Sequence, residues 1–468
     1  MNAANNIELN TARTHGILGD FLAFVVPCLI FFEIQMVGRL FVSELILLPV
    51  LLVLLFSRGS MLMSRLPRTF IMFGLIWLLS QVATDMIRST TFEDYARGWS
   101  KIVFLLLNFS AIYLLLNNKR RRFMLFAVGI AVGQILQFFI TPNIFALDGY
   151  IWKFGVGYAV TLLLIIGSQW RRLVRISFVS ETICGAAAVL NLFLGYRSLG
   201  ALCLVTALYM LYQRTSKSCK GAVRSVGSVK TVIGAIVLGS CAIVLVGALY
   251  GSAANAGWFG EDAKQKYEWQ ASGKLGFLVG GRPELLVSSM AIMDSPIIGH
   301  GSWAKDPRYS MLLLEKLSNY DYETGSERNN DLIPTHSYLL GAWVESGILG
   351  AIFWFWVLLV SVKLLIAMSR FRFRLSILLA FVAFGLIWNI LFSPLGAEGR
   401  IYTAYYVVLL MYGTILVRTT QTVTPSTIIQ GYSGKYRLSQ SLLIRHVFWS
   451  RPFVLLSSRI ILISNISS

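Results

Sequence analysis

The chain has 468 residues, of which 56% are hydrophobic and only 13% charged, and its mean hydropathy is +0.68. That balance excludes a soluble domain around one large core and indicates an all-α polytopic membrane protein. The formal net charge of +19 is no sign of nucleic-acid binding, because the basic residues fall in short loops between apolar runs.

Twelve apolar runs read as spans, at roughly 17–37, 40–56, 69–87, 98–116, 123–140, 154–169, 176–194, 198–213, 231–250, 338–368, 375–393 and 401–417. Several are shorter than the ~20 residues a helix needs to cross a bilayer, so tilted pairs or re-entrant pieces are open readings for these. Residues 1–16 lack a basic segment followed by a cleavage site, and the first run reads as a retained span. Basic residues follow every second run: Arg58, Arg65 and Arg68; Lys119 to Arg122; Arg171, Arg172 and Arg175; Arg214 to Lys230; Arg370, Arg372 and Arg374. These loops and both termini are therefore expected in the cytoplasm. The loop after span three breaks the alternation, with Arg88, Arg97 and Lys101 only partly offset by Glu93 and Asp94.

Between spans nine and ten, residues 251–335 carry 11 acidic and eight basic side chains, a local net charge of −3 in a strongly basic protein. A stretch this long calls for its own folded elements, so a helical extracytoplasmic cap is expected. Arg282-Pro283-Glu284 opens one helix of it, with Leu285, Leu286, Ser289, Met290 and Met293 as its apolar face and Ser295-Pro296 as its end. Spans ten to twelve then occupy 336–417, and 418–468 forms a basic tail suited to lying on anionic lipid, where His446 reads as interfacial. Cys28, Cys184, Cys203, Cys219 and Cys241 avoid the long polar stretch, so no disulfide framework is indicated.

Pro334 and Thr335 read as a helix start, with Thr335 the N-cap, His336 in the first turn and helix to Met368. Such a helix measures roughly 50 Å against a ~30 Å bilayer core, so His336 should stand at or above the membrane surface. The partial positive charge of a helix N-terminus disfavours a protonated imidazole there, which makes His336 a candidate general base; anchoring at the interface is the plainer alternative. By the loop count Arg197, in LGYRSLG, and Arg282, in VGGRPEL, face the same outer side. Guanidinium groups present a planar fork suited to phosphate oxygens, and Gly280 and Gly281 would let a ligand approach the backbone. Together they suggest a lipid-linked phosphate or diphosphate, while snorkelling for Arg197 and a solvated cap for Arg282 remain the alternatives. Glu345 lies about 180° round the helix from His336 and is expected to pair with another helix. Gly347 and Gly350 read as close-packing positions, and His300 as a residue shaping the cap. Asp321 and Glu323 read as a solvated loop rather than a metal site. Glu33, Glu44, Asp85 and Glu181 are acids within the spans, and acids there demand partners that the sequence does not name.

GYRSLGAL around Arg197, GGRPEL around Arg282, SPIIGHG at 295–301 and above all THSYLLGAWVESGILG from Thr335 to Gly350 resemble the O-antigen ligase and polysaccharide polymerase superfamily of bacterial membrane glycosyltransferases. The likeness covers most of 40–417; a common family form has asparagine where this chain has Ser337. The resemblance implies transfer of a glycan from undecaprenyl diphosphate to an acceptor sugar hydroxyl on the periplasmic face of the inner membrane, in lipopolysaccharide or exopolysaccharide biosynthesis, with no metal or other cofactor. It implies His336 as base with inversion, Arg197 and Arg282 as diphosphate ligands, and Ser337 and Glu345 in support. A ligase would deliver the glycan to lipid A–core and a polymerase to another lipid-linked glycan; the motifs favour neither, and the ligase form leads. A twelve-span transporter is the reading of another class, but it should show paired repeats, and none is visible.

Overall fold

The computed structural model describes residues 16–35, 38–170, 173, 176–216, 251–253, 255–257, 264, 284–318, 331–369 and 371–429. The expected ninth span at 231–250, Arg282, Asp321, Glu323, His446, Cys219 and Cys241 all lie outside the described residues.

Among the described residues the architecture is a helical bundle. Its first part is α1 (Gly16–Cys28), a short hairpin of β1 (Glu33–Gln35) and β2 (Arg39–Phe41), α2 (Val42–Arg58), α3 (Arg65–Arg88), α4 (Phe92–Leu116) and α5 (Arg120–Ile140). A four-residue α6 (Ile144–Leu147) and a π turn lead into α7 (Gly157–Gly167), α8 (Val179–Phe193) and α9 (Arg197–Ser216). After the long polar stretch come α10 (Glu284–Asp294), α11 (Pro307–Ser318), α12 (Tyr338–Ser346), α13 (Ile348–Met368), α14 (Ser376–Phe392) and α15 (Gly399–Ile429). Six helices are long and apolar enough to cross a membrane: α2 with the 3-10 turn behind it, α3, α4, α5, α13 and α15 up to Thr420. Four shorter apolar ones, α1, Trp152–Gly167, α8 and α14, accompany them. This is a helical membrane protein.

Three expectations are corrected. The first span's helix ends at Cys28, and β1 follows within the run, pairing with β2 so that Glu33 lies opposite Phe41 and Gln35 opposite Arg39. The tenth span is two helices, not one. Gly347 adopts φ +68° and ψ −162°, conformations open to glycine but not to a helix interior, and the chain breaks there. The buried face of α10 is Val287, Ser288, Ala291 and Ile292, while Met290 and Met293 are exposed. Smaller side chains are selected because α10 packs closely with Tyr309, Leu313, Ile333 and Val344 in a separate small core.

The main core is aromatic where α3, α4 and α13 meet, with Phe70, Trp77, Phe109, Phe353 and Trp354 all buried. In lipid such packing gains dispersion contacts rather than release of water, so close fit decides which helices touch. Gly129 and Gly133 show this: a Cβ on them would lie 2.3 Å from the Phe24 carbonyl oxygen and 2.6 Å from that of Cys28, so α5 can meet α1 only through this small-residue pair. α14 is buried nearly all round, as a uniformly apolar central helix should be.

Candidate functional site

His336 is held from both sides along the chain. Before it, Ile333 N–H donates to the Ala304 carbonyl at 2.9 Å and Lys305 bridges to Leu332, which ties the approach to the 301–306 stretch. After it, Ser337 is the N-cap of α12: its hydroxyl accepts from Leu340 N–H at 3.1 Å and donates to the Ile390 carbonyl on α14 at 2.7 Å. Thr335 is therefore not the cap, and His336 sits one residue outside the helix rather than in its first turn. The reason is that Ser337 can satisfy an orphan helix N–H while also anchoring to α14.

The broken tenth span positions the other end of α12. The Gly347 break leaves carbonyls at the C-terminus of α12 unpaired, and the SPIIGHG loop supplies donors for them. His300 N–H reaches the Val344 carbonyl at 2.7 Å, and Gly301 N–H reaches that of Glu345 at 3.0 Å. The loop is in turn clamped to α3. Asp85 accepts from Ser302 N–H at 2.6 Å, from the Ser302 hydroxyl at 2.7 Å and from Trp99 Nε1 at 2.7 Å. Arg88 donates from Nε to the Gly299 carbonyl at 3.0 Å and from Nη2 to the Ser295 hydroxyl at 2.8 Å. The His300 ring bonds the Ala291 carbonyl at 2.7 Å, which secures α10 to the loop and gives His300 a structural role. Beside this loop, hydrogen bonds from Arg308 hold the Asp306 carboxyl below its usual range, and burial with the Asp294 contact raises the Tyr309 phenol to about 12.

These constraints leave a cavity of about 1010 Å³ with half-buried His336 on its wall. Four cationic side chains share the wall: Arg39 of β2, Arg97 and Lys101 of α4, and Arg400 of α15. Glu345 and Glu398 also line it. Lys101 pairs with Glu345, each side chain 16% exposed, and Arg39 pairs with Glu398 at 2.9 Å. Arg97 lies over the Trp303 ring at 5.4 Å. Arg400 is the most deeply set: its Nη2 bonds Glu44 at 2.7 Å and the Arg39 carbonyl at 2.8 Å, while its buried Nε has no hydrogen-bond partner among the described residues. Glu44 also accepts from Asn108 at 2.9 Å.

Of the residues singled out in the sequence, the structure brings His336, Glu345 and the neighbouring Ser337 together. Glu345 does pair with another helix, but it shares the cavity with His336 instead of facing away, because His336 is not on the helix. Arg197 opens α9 at the same end of the bundle, since α9 runs antiparallel to α14, but it is not among the residues lining the cavity. Glu284, two residues after Arg282, does line it. The sequence reading missed Arg39, Arg97, Lys101 and Arg400 as site residues. Their signal was present: each sits beside a loop in which the alternation of basic loops leaves few cations to be expected. The chain matches no family model, no curated protein and no solved structure.

Proposed function

We propose that this protein is a membrane glycosyltransferase that moves a glycan from undecaprenyl diphosphate to an acceptor sugar hydroxyl at the outer face of the bacterial inner membrane. The observation that carries the reading is the placing of His336 among four cationic side chains in one large cavity at an end of an apolar bundle. A donor with a lipid tail, a diphosphate and a sugar needs those three environments side by side.

In this reading His336 takes the proton of the acceptor hydroxyl as its oxygen bonds to the anomeric carbon. The bond from that carbon to the diphosphate oxygen breaks on the opposite face, with inversion, and undecaprenyl diphosphate leaves carrying the negative charge. Arg400, Lys101, Arg97 and Arg39 stabilise that charge as it develops. Arg282, in the GGRPEL motif, is the further diphosphate ligand that the family resemblance implies, and Arg197 holds the donor beyond the cavity's edge. Ser337 fixes where the helix starts, and Glu345 orients Lys101. The acceptor is lipid A–core in the ligase form and another lipid-linked glycan in the polymerase form; the same side chains serve both.

The test is His336→Ala, purified and shown to be folded, with donor binding and sugar transfer measured separately. General-base catalysis contributes about 10²–10⁴-fold, so transfer should fall at least a hundredfold while binding of a polyprenyl-diphosphate sugar changes little. Loss of binding together with transfer would make His336 a binding residue, and normal transfer would place the base elsewhere. Uptake of a labelled solute with no sugar transfer would favour the transporter.

A further inference from the structure

The end of the bundle opposite His336 holds a second polar cavity. Its place follows from helix direction: Ile390, near the C-terminus of α14, meets Ser337, whereas Ile377, at the N-terminus of α14, lines the second cavity. The cavity measures about 260 Å³, several times the roughly 30 Å³ share of one water in the liquid, so it has room for a small headgroup. Arg214 from the end of α9 and Arg372 and Arg374 from the turn before α14 line it, with Gln169, Ser177 and Ser180.

The charges are arranged and not merely gathered. Glu181, whose side chain is 3% exposed, sits 3.3 Å from Arg214 Nε and 2.9 Å from Arg372 Nη2, close enough to attract both guanidinium groups electrostatically, but neither of its oxygens makes a hydrogen bond with a described residue. Arg214 is further held over the Phe178 ring at 4.0 Å. Among the described residues, one carboxylate against three guanidinium groups leaves a local charge of +2. Arg374 is exposed and makes no hydrogen bond or ion pair with any described residue. Gln169 adds an independent feature. It is 3% exposed, and its buried side-chain carbonyl oxygen accepts no hydrogen bond from any described residue. A buried acceptor without a donor is costly, and a ligand hydroxyl would satisfy it. Exposed Ile176 is part of the lining, and exposed Trp170 and Phe178 directly adjoin lining residues Gln169 and Ser177 in the chain, which gives the site apolar surroundings that include a tryptophan of the kind enriched at a bilayer's headgroup level.

We propose that this cavity binds a phosphodiester bearing a hydroxylated headgroup, the phosphate held by Arg214, Arg372 and Arg374 and a headgroup hydroxyl donated to Gln169. Phosphatidylglycerol and soluble glycerophosphodiesters share that chemistry, and the apolar surroundings favour the lipid. The proposal stands on this cavity alone and does not depend on the reaction at His336.

Arg374→Gln tests it without disturbing the fold, since Arg374 supports no other described residue, whereas loss of Arg214 or Arg372 would strand Glu181. The full chain is placed in nanodiscs of phosphatidylcholine containing a small fraction of phosphatidylglycerol, and the lipids retained after mild detergent extraction are counted by native mass spectrometry. Glycerophosphoglycerol is titrated in a parallel arm. Wild type should retain phosphatidylglycerol in preference to phosphatidylcholine, and Arg374→Gln should reduce that retention about tenfold, as expected for one charge-assisted contact. Arg68→Gln makes the same charge change at the same end, on exposed ground away from the cavity, and should leave retention unchanged. Equal loss in both variants would mean diffuse attraction to anionic lipid and would overturn the site. Saturation by glycerophosphoglycerol that displaces the lipid keeps the phosphodiester assignment and moves its source to solution. No preference for phosphatidylglycerol and no binding of glycerophosphoglycerol would end the proposal.

Discussion

Glu44 and Arg400 face each other 2.7 Å apart with 0% and 4% of their side chains exposed. Taking two charges into a bundle is expensive, and what makes it tolerable here is that most of their polar atoms are partnered: Asn108 and Phe41 N–H also donate to Glu44, and the Arg39 carbonyl accepts from Arg400, although Arg400 Nε has no partner among the described residues. Arg400→Met should therefore destabilise the protein by about 3–5 kcal/mol, because it leaves a buried carboxylate without its cation. Arg400→Lys should recover only part, since a point charge cannot reproduce the planar fork. Glu44→Gln combined with Arg400→Met should be more stable than Arg400→Met alone. Unfolding in detergent reads all three independently of any activity; an Arg400→Met variant as stable as wild type would show that the pair is not what holds α2 to α15. The sequence told that Glu44 needed a partner. It could not name one 356 residues away, because no local pattern links them.

At the scale of the element, the break between α12 and α13 is the feature on which the site depends. A continuous helix would carry its own hydrogen bonds through residue 347 and leave the SPIIGHG loop nothing to cap. The break instead opens carbonyls that His300 and Gly301 fill, and a Cβ on Gly347 would lie 1.9 Å from the Ile297 carbonyl oxygen. Gly347→Ala combines that overlap with a positive φ, so a loss of at least about 1–3 kcal/mol is expected, with a lower melting temperature and less folded protein in the membrane. Gly185→Ala in α8 is the control: no atom lies near its added Cβ, and an alanine there should be neutral or slightly stabilising. A Gly347→Ala protein that melts with wild type would contradict the backbone contact. The GILG run read as close packing from the sequence, and that much was legible. The helix break was not, since a single glycine in an apolar stretch is as compatible with a helix as with a turn.

Taken whole, the molecule has two chemically different ends. One carries His336 and the large cavity; the other carries the Glu181–Arg214–Arg372 cluster and the N-termini of α3 and α5 with their basic residues. The rule that basic loops stay in the cytoplasm orients the second end inward. A periplasm-active reporter fused within 255–330 should then be active, and one fused at 119–122 or 216–224 inactive. The opposite pattern would place His336 in the cytoplasm and remove the proposed reaction from the face where its donor is displayed. The cations that break the alternation, Arg88, Arg97 and Lys101, are each engaged: Arg88 clamps the Gly299 loop, and Arg97 and Lys101 line the large cavity.

What the sequence determined by itself was set by local chemistry: a membrane protein built of apolar helices, basic loops alternating along it, a polar insertion before the last spans, and His336 beside a helix start. Each of these follows from neighbours in the chain, where hydrophobic runs, caps and charge signs act over a few residues. Only the tertiary structure decided which acids meet which cations, that the tenth span is two helices, that Ser337 rather than Thr335 caps the first, and that Arg39, Arg97, Lys101 and Arg400 line one cavity with the histidine. Those outcomes depend on close packing of helices far apart in sequence, and in a bilayer, where apolar surface attracts lipid as readily as protein, it is steric fit and buried polar partners that select them.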